Sequence, residues 1–366
     1  MFSPLAEQIR NHVGPIFPLH VGDTWMEPFA GGRMQDLREA EHPGMHRYCE
    51  TQGIPPLVEA LVEKLRGVNG LACEREQVLV TAGATGGLAC AVGALADPGE
   101  EVLILAPFWP LIRGIVRSQR ALPVEVPFYD RVNGPEAAVA AVEALATDRS
   151  VALYISTPSN PTGRVLPASW LAALAEWARQ RDLWLLSDEV YEPFVYQGEH
   201  VSLGRFAPER TLSVYSFSKA YGTAGNRVGY LTGPEEMVAA AHKVGVHSVY
   251  HAPTAGQLAA VEALRHGQAW VAEAREAYRR AGEEAARTLG VEPPEGSCFL
   301  FLDVAERLDG RGLLGFLEDC LEDGVVLAPG ASSGEAYASC VRLCYTAAPP
   351  AAVAEATRRL ARRLRD

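Results

Sequence analysis

An alternation in the middle of the chain constrains the fold most. Five short apolar runs, at residues 78–80, 102–105, 151–155, 183–186 and 212–215, are interleaved with helical patterns at 85–95, 111–119, 135–146 and 168–181. The runs are apolar at consecutive rather than alternate positions, as in strands covered on both faces of a parallel sheet. Helices of roughly 10–15 residues between such strands read as βαβ crossovers. A doubly wound α/β core from about residue 50 to 250 is expected. Leu57, Leu61 and Leu65, four apart with Val58 and Val62 beside them, make 56–66 an amphipathic helix entering that core.

Downstream the texture changes. A helical stretch from about 255 to 289 gives way to strand-like runs at 298–304, 324–327 and 341–345 and a basic helix at 351–365, an order that suggests a smaller α+β domain. The cations of that last helix, Arg358, Arg359, Arg362, Arg363 and Arg365, read as a solvated face that complements the helix dipole.

With 366 residues, 48% of them hydrophobic, the chain buries a large core. Its formal charge of −12 argues against nucleic acid or an anionic membrane as a partner. No apolar run approaches the roughly 20 residues of a membrane span. The start of the chain, with Pro4, Glu7 and Arg10, has no signal-peptide core, so a cytoplasmic protein is expected. Seven cysteines without a C-x-x-C indicate buried thiols, not disulfides or zinc, and no metal is expected. Of 33 basic residues only Lys64, Lys219 and Lys243 are lysines. Chemistry that needs a deprotonatable amine has those three candidates, because Arg stays protonated. Lys64, on an amphipathic helix, and Lys243, near a helix end, are expected in solvent.

Four segments follow predicted strands at their C-terminal ends, where open α/β sheets place ligands. Thr81-Ala82-Gly83-Ala84-Thr85-Gly86-Gly87 opens a helix with small residues, so its backbone N–H groups can face an anion. Close helix packing is the competing explanation, and the spacing does not match the dinucleotide fingerprint G-x-G-x-x-G. Ser156-Thr157-Pro158-Ser159-Asn160-Pro161-Thr162-Gly163 fixes Asn160 between two prolines in a non-helical loop. In Ser187-Asp188-Glu189-Val190-Tyr191 an apolar strand ends in an acid that needs a cation or donors. Asp188 is either a helix cap or the partner of a protonated ring nitrogen. In Tyr215-Ser216-Phe217-Ser218-Lys219-Ala220-Tyr221-Gly222 a lysine just past a strand is placed for desolvation and Schiff-base chemistry, with hydroxyls and Arg227 nearby for a phosphate.

In this order, N-P-x-G at 160–163, S-D-E-x-Y at 187–191 and S-x-S-K at 216–219 make the sequence resemble the fold-type I pyridoxal-phosphate enzymes. The likeness is to the class I/II aminotransferases related to aspartate aminotransferase. It covers the chain from Gly22 to the final helix. It implies a three-layer α/β/α large domain with a mostly parallel sheet plus a smaller α+β domain. By this resemblance residues 1–48 form a strap and part of the small domain, 49–255 the large cofactor-binding domain, and 256–366 a connecting helix and the rest of the small domain.

The resemblance implies the following roles. Lys219 is similar to the Schiff-base lysine and Asp188 to the acid on the pyridine nitrogen. Tyr191 and Asn160 resemble the donors to the phenolic oxygen, and Trp109 the aromatic stacked on the ring. Gly83, Ala84, Thr85, Ser216, Ser218 and Arg227 resemble the phosphate cup. Tyr48 is similar to a tyrosine that reaches the neighbouring subunit's cofactor, which implies a homodimer with shared sites. Arg342 resembles the arginine that holds the substrate α-carboxylate, and Gly22 the glycine that lets the strap approach it.

The implied activity is transfer of an amino group from an L-amino acid to a 2-oxo acid. A β-elimination lyase or a cyclising enzyme on the same scaffold is the alternative. Residues 245–253 contain no Arg, and Thr85 stands where some relatives have Lys. A neutral or aromatic side chain is therefore expected over an acidic one, although Arg33 is a further cation. Trp25, Tyr250 and His247 are substrate-pocket candidates, and no role is assigned to His251.

Overall fold

The computed structural model describes residues 5–365; residues 1–4, including Pro4, and Asp366 lie outside the described residues. The main sheet has seven strands: β1 Val78–Thr81, β2 Glu101–Ala106, β3 Leu122–Pro127, β4 Ser150–Ser156, β5 Trp184–Asp188, β6 Thr211–Ser216 and β7 Gly229–Thr232. Their spatial order is β1-β7-β6-β5-β4-β2-β3. The run from β3 to β6 is parallel, and β7 lies antiparallel to both β6 and β1.

Strands β1, β2 and β6 are buried at every position, which is why the sequence shows unbroken apolar runs there. One apolar cluster joins Leu88, Val92, Ile104, Ile112 and Val214 on one face. Another joins Leu103, Leu153, Leu171, Leu174 and Leu185 on the other. Helices therefore cover both faces in three layers. The helix Pro55–Gly67 packs its Leu57, Leu61 and Leu65 against Val78 and Val80 of β1.

Two strands had no apolar run to announce them. β3 is one of the two sheet edges and carries Pro123 and Pro127, which an edge strand tolerates because the lost donor would face outward. β7 is four residues long and begins at a glycine. The helical stretch near 255–289 divides at Gly267 into Thr254–His266 and Gln268–Leu289.

A second sheet holds β8 Phe299–Asp303, β9 Ala328–Pro329 and β10 Cys340–Cys344, antiparallel in the order β8-β10-β9. The N-terminal segment returns onto it. Phe17 N–H bonds the Gly324 carbonyl at 2.8 Å, Cys344 N–H that of Leu19 at 2.7 Å, and Trp25 N–H that of Thr346 at 2.9 Å. Val325, expected within a strand at 324–327, instead makes a single bridge to Phe17.

Two surface expectations need correction. The terminal basic face is partly an ion-paired seam: Arg363 bonds the Asp323 carboxylate at 2.7 Å, and Arg359 reaches the Asp323 carbonyl at 2.8 Å while lying 5.0 Å from the Phe17 ring centroid. Lys64 is not solvated. Its ammonium pairs with Glu192 and lies 4.7 Å from the Tyr215 ring centroid, because the helix turns that residue toward the sheet. Lys243 is exposed, as its position suggested. All seven cysteines are free and all but Cys49 are buried. Among the described residues, no helix is long and apolar enough to cross a membrane.

Candidate active site

The C-terminal ends of β4, β5 and β6 and the helix after β1 converge on a cavity of about 170 Å³. Asp188 ends β5 in register with Ser156 of β4 and Val214 of β6. Its Oδ2 accepts a 2.6 Å hydrogen bond from the Tyr154 hydroxyl, and its Oδ1 a longer one of 3.4 Å from Val190 N–H. Burial pushes the Asp188 carboxyl up to about 6. A carboxylate so short of compensation at a cavity wall is a site for a cation. Burial likewise lifts the Tyr191 hydroxyl well above its usual 10, so it stays a donor.

β6 ends at Ser216, whose Oγ accepts from Ser218 N–H at 3.1 Å and caps the turn Phe217–Ala220. That turn presents Lys219 to the cavity, where its Nζ donates to the Gly22 carbonyl. A side chain at Gly22 would bring its Cβ within 2.9 Å of the Phe299 ring, so only glycine lets the strap pass this close.

Beyond β4, Asn160 Oδ1 accepts a 2.9 Å hydrogen bond from Arg342 Nη1 of β10. Arg342 Nη2 donates to the His20 carbonyl at 2.8 Å, and the guanidinium stacks 4.5 Å from the Phe299 ring centroid. The side chain is thereby held flat between the strap and the second sheet. The Tyr129 hydroxyl anchors the loop at its root, donating to the Ser156 carbonyl at 2.6 Å and accepting from Ser156 N–H at 3.0 Å.

At the opposite end, Gly83 adopts φ +72° where the chain turns from β1 into the helix Gly83–Leu95. A Cβ there would lie 2.4 Å from Arg227 Nη2, so the glycine makes room for that guanidinium. Arg227, itself at φ +53°, bonds the carbonyls of Ala82 at 3.2 Å and Ala224 at 3.0 Å. Helix N-terminal amides, the Ser216 and Ser218 hydroxyls and Arg227 form a basin of donors and positive charge suited to a dianion.

The sequence profile of the family described as aminotransferase class I and II matches residues 26–360. The chain belongs to the class I and II aminotransferases. The aspartate/prephenate aminotransferase of Thermus thermophilus is 38% identical over 304 residues, 80% of this chain and 77% of that protein. The aromatic-amino-acid aminotransferase 2 of Thermococcus litoralis is 33% identical, covering 85% and 82%. A solved structure of a Thermus thermophilus aspartate aminotransferase double mutant superposes with a TM-score of 0.90 at 35% identity over 98% of this chain and 94% of that one. These relatives favour amino transfer over elimination or cyclisation, and the protein is an amino acid aminotransferase.

Within this aminotransferase fold, Ala84, Thr85 and Trp109 border the cavity together with Asn160, Asp188 and Tyr191, as do Ser216, Ser218, Lys219 and Arg227. Gly22, Gly83 and Arg342 adjoin it through the contacts just described. Trp25 packs edge-on against Tyr278, 5.4 Å between centroids, and does not line it. Tyr48 and Tyr250 lie elsewhere, 83% and 46% exposed, with ring centroids 5.0 Å apart and His251 against both. His247 lies exposed at a helix end, bonded to the Lys243 carbonyl at 2.6 Å. Arg33 pairs with Glu27 at 3.8 Å and bonds the Pro28 carbonyl at 3.2 Å.

Sequence reasoning missed Tyr154, Tyr129 and Phe299. A lone hydroxyl in the apolar run of β4 was a usable signal for Tyr154, since a buried phenol needs a partner. Nothing local marked Phe299, which meets Gly22 and Arg342 only through the return of the strap.

Proposed function

We propose that the chain binds pyridoxal 5'-phosphate in this cavity and transfers the amino group of an L-amino acid with a neutral or aromatic side chain to a 2-oxo acid. The donor set fits the cofactor at both ends. The basin at Ala84, Thr85, Ser216, Ser218 and Arg227 would hold its phosphate, and Asp188 its protonated ring nitrogen. Asn160 and Tyr191 would donate to its phenolic oxygen, Trp109 would cover the ring, and Lys219 Nζ would bond its carbonyl carbon. When bound, this group supplies an electrophilic carbon for the amine and an electron-accepting ring.

The chain's own residues do the rest. Arg342 binds the substrate carboxylate through its planar fork, held by Asn160 and the His20 carbonyl, and so fixes which Cα bond faces the ring. Once the substrate amine has displaced it, the freed Lys219 Nζ would take the Cα proton and deliver it within the site. The Asp188 carboxylate, held by Tyr154, keeps the ring nitrogen protonated. The strap lies against Lys219, its Gly22 carbonyl accepting from Nζ.

One observation carries the reading: a lysine amine and a buried carboxylate line one cavity, and the Arg342 guanidinium, from a distant part of the sequence, adjoins it through Asn160. The substrate preference is supported by charge. Arg33 is already paired with Glu27, and among the described residues the cavity-lining cations are Lys219 and Arg227. A panel of amino acids and 2-oxo acids followed by the absorbance of the bound cofactor tests it; phenylalanine and leucine should convert the cofactor faster than aspartate, and the reverse order would sink the preference.

The exposed Tyr48, Val249 and Tyr250 support a homodimer in which Tyr48 serves the neighbouring site; sedimentation at the monomer mass would dismiss it. The proposed division is a strap and part of the small domain at 1–48, a large domain at 49–255 and the connecting helix with the remaining small domain at 256–366. Free thiols support a cytoplasmic protein, which fractionation of the source cells would check.

A further inference from the structure

A second cavity, of about 180 Å³, lies behind the turn that carries Lys219. Ser218 and Lys219 face the catalytic cavity, whereas Phe217, Ala220 and Tyr221 of the same stretch face this one, and Ser216 borders both. Its polar end holds the Lys64–Glu192 ion pair, with side chains only 17% and 11% exposed, and Asn69 and His200 beside it. Phe217, Ala220, Leu264 and Val271 supply apolar wall, with Gln268 among them.

Burying an ion pair costs desolvation that its mutual attraction often fails to repay, so such a pair is poorly explained by stability. This one also retains bonding capacity. Among the described residues, Lys64 Nζ has one hydrogen-bond acceptor, Glu192, for its three donors, the rest of the ammonium lying 4.7 and 5.8 Å from the Tyr215 and Tyr230 ring centroids. Glu192 accepts from Lys64 and, at 2.6 Å, from Asn69. A cation beside an anion at the head of an apolar pocket is the complement of a zwitterion with an apolar tail. Size sets the tail: a dry cavity of roughly 150 Å³ takes a benzene molecule, so this one has room for a single ring with its head group toward the ion pair.

We propose that this cavity is a second amino acid site, taking an α-amino acid with a single-ring side chain, its carboxylate on Lys64 and its ammonium on Glu192. The occupant touches the turn that carries Lys219, so binding there changes turnover without competing at Arg342. The site itself rests on the cavity and its ion pair, and only its effect on turnover rests on the catalytic reading.

Equilibrium dialysis of labelled L-phenylalanine against the holoenzyme in its amino-loaded form, which a second amino acid cannot convert, tests it. Wild type should hold two molecules per chain and Arg342→Ala one, the second site remaining. Adding Lys64→Met or Val271→Trp to Arg342→Ala should weaken that remaining site by at least about tenfold. Phenylalaninamide and 3-phenylpropionate, each lacking one charge, should bind it as weakly. Lys64→Met alone, at a residue that does not line the catalytic cavity, should keep basal turnover and lose the effect of added phenylalanine. If Arg342→Ala fails to fold, loss of one of two sites in wild type on Lys64→Met replaces that arm. A single site in wild type, or a second site that neither Lys64→Met nor Val271→Trp weakens, overturns the proposal. Two sites, together with no absorbance change when phenylalanine is added to enzyme not yet loaded with an amino group, would instead retain it and refute the catalytic reading.

Discussion

Replacing Asp188 with Asn separates charge from shape. The amide keeps the size of the side chain and an acceptor for Tyr154 at the same place, but removes the carboxylate that burial holds up to about 6. Each pH unit is worth about 1.4 kcal/mol, so a rise from 3.8 to about 6 makes ionising Asp188 cost about 3 kcal/mol in the folded chain. Between those two values the folded chain retains a proton that the unfolded chain has released, and stability falls as pH rises. In cofactor-free protein, the stability of Asp188→Asn relative to wild type should therefore climb by about 3 kcal/mol across this window and stay level above it. Urea denaturation at a series of pH values and constant salt measures it. With cofactor present the sign reverses in function: the carboxylate then faces a positive ring nitrogen, and its loss should lower turnover by about 100-fold or more. A stability difference that is flat with pH, together with normal turnover, would refute both halves of this reasoning.

Tyr154→Phe removes the strongest hydrogen bond to Asp188. It should lower kcat by about tenfold, with KM little changed and the pH profile moved to higher values, because a donor to the carboxylate is lost; an unaltered profile would exclude a role through Asp188. Arg342→Lys keeps charge but loses the planar fork. KM for amino acids should rise by about tenfold or more, and steady-state kinetics showing unchanged KM would remove Arg342 from the carboxylate site.

The buried Glu189–His200 pair, 2.9 Å apart, gives a stability signature. Burial lowers the affinity of His200 for its proton, but the hydrogen bond and charge of Glu189 outweigh this and raise it above 6.5. Burial raises Glu189, yet His200, Ser202 and Ser187 more than offset it and hold it below 4.5. The His200 contribution is full below 6.5 and fades as pH climbs through its raised value, whereas that of Glu189 is full above 4.5 and fades as pH drops through its lowered one. His200→Gln should thus destabilise by about 2 kcal/mol between these limits and less on the alkaline side; thermal melts giving a constant difference across pH would exclude the ion pair.

The central fold was legible because burial on both faces writes itself into consecutive apolar residues, as in 102–105 and 212–215. That logic fails for β3, which is partly exposed and broken by Pro123, Glu125 and Pro127, and for β7, where Gly229 and Thr232 leave only Tyr230 and Leu231 as an apolar pair. The cavity walls were legible where a chemical residue follows a strand directly: Asp188, Ser216 and Lys219 are placed by the parallel sheet itself. Contacts made by the strap were not, since Phe299 meets Gly22 across hundreds of residues with no local pattern. Lys64 was misread because helical periodicity shows which stripe is apolar but not that a neighbouring position turns inward onto Tyr215 and Glu192.

The central claim is that Lys219 is the amine that holds pyridoxal phosphate for amino transfer. Borohydride reduction of the purified holoenzyme, followed by peptide mapping, tests it most directly. The account requires one modified peptide, carrying the cofactor on Lys219, and no modification in a sample first converted with an amino acid donor. Cofactor fixed on Lys64 or Lys243, or no fixed cofactor at all, would contradict it.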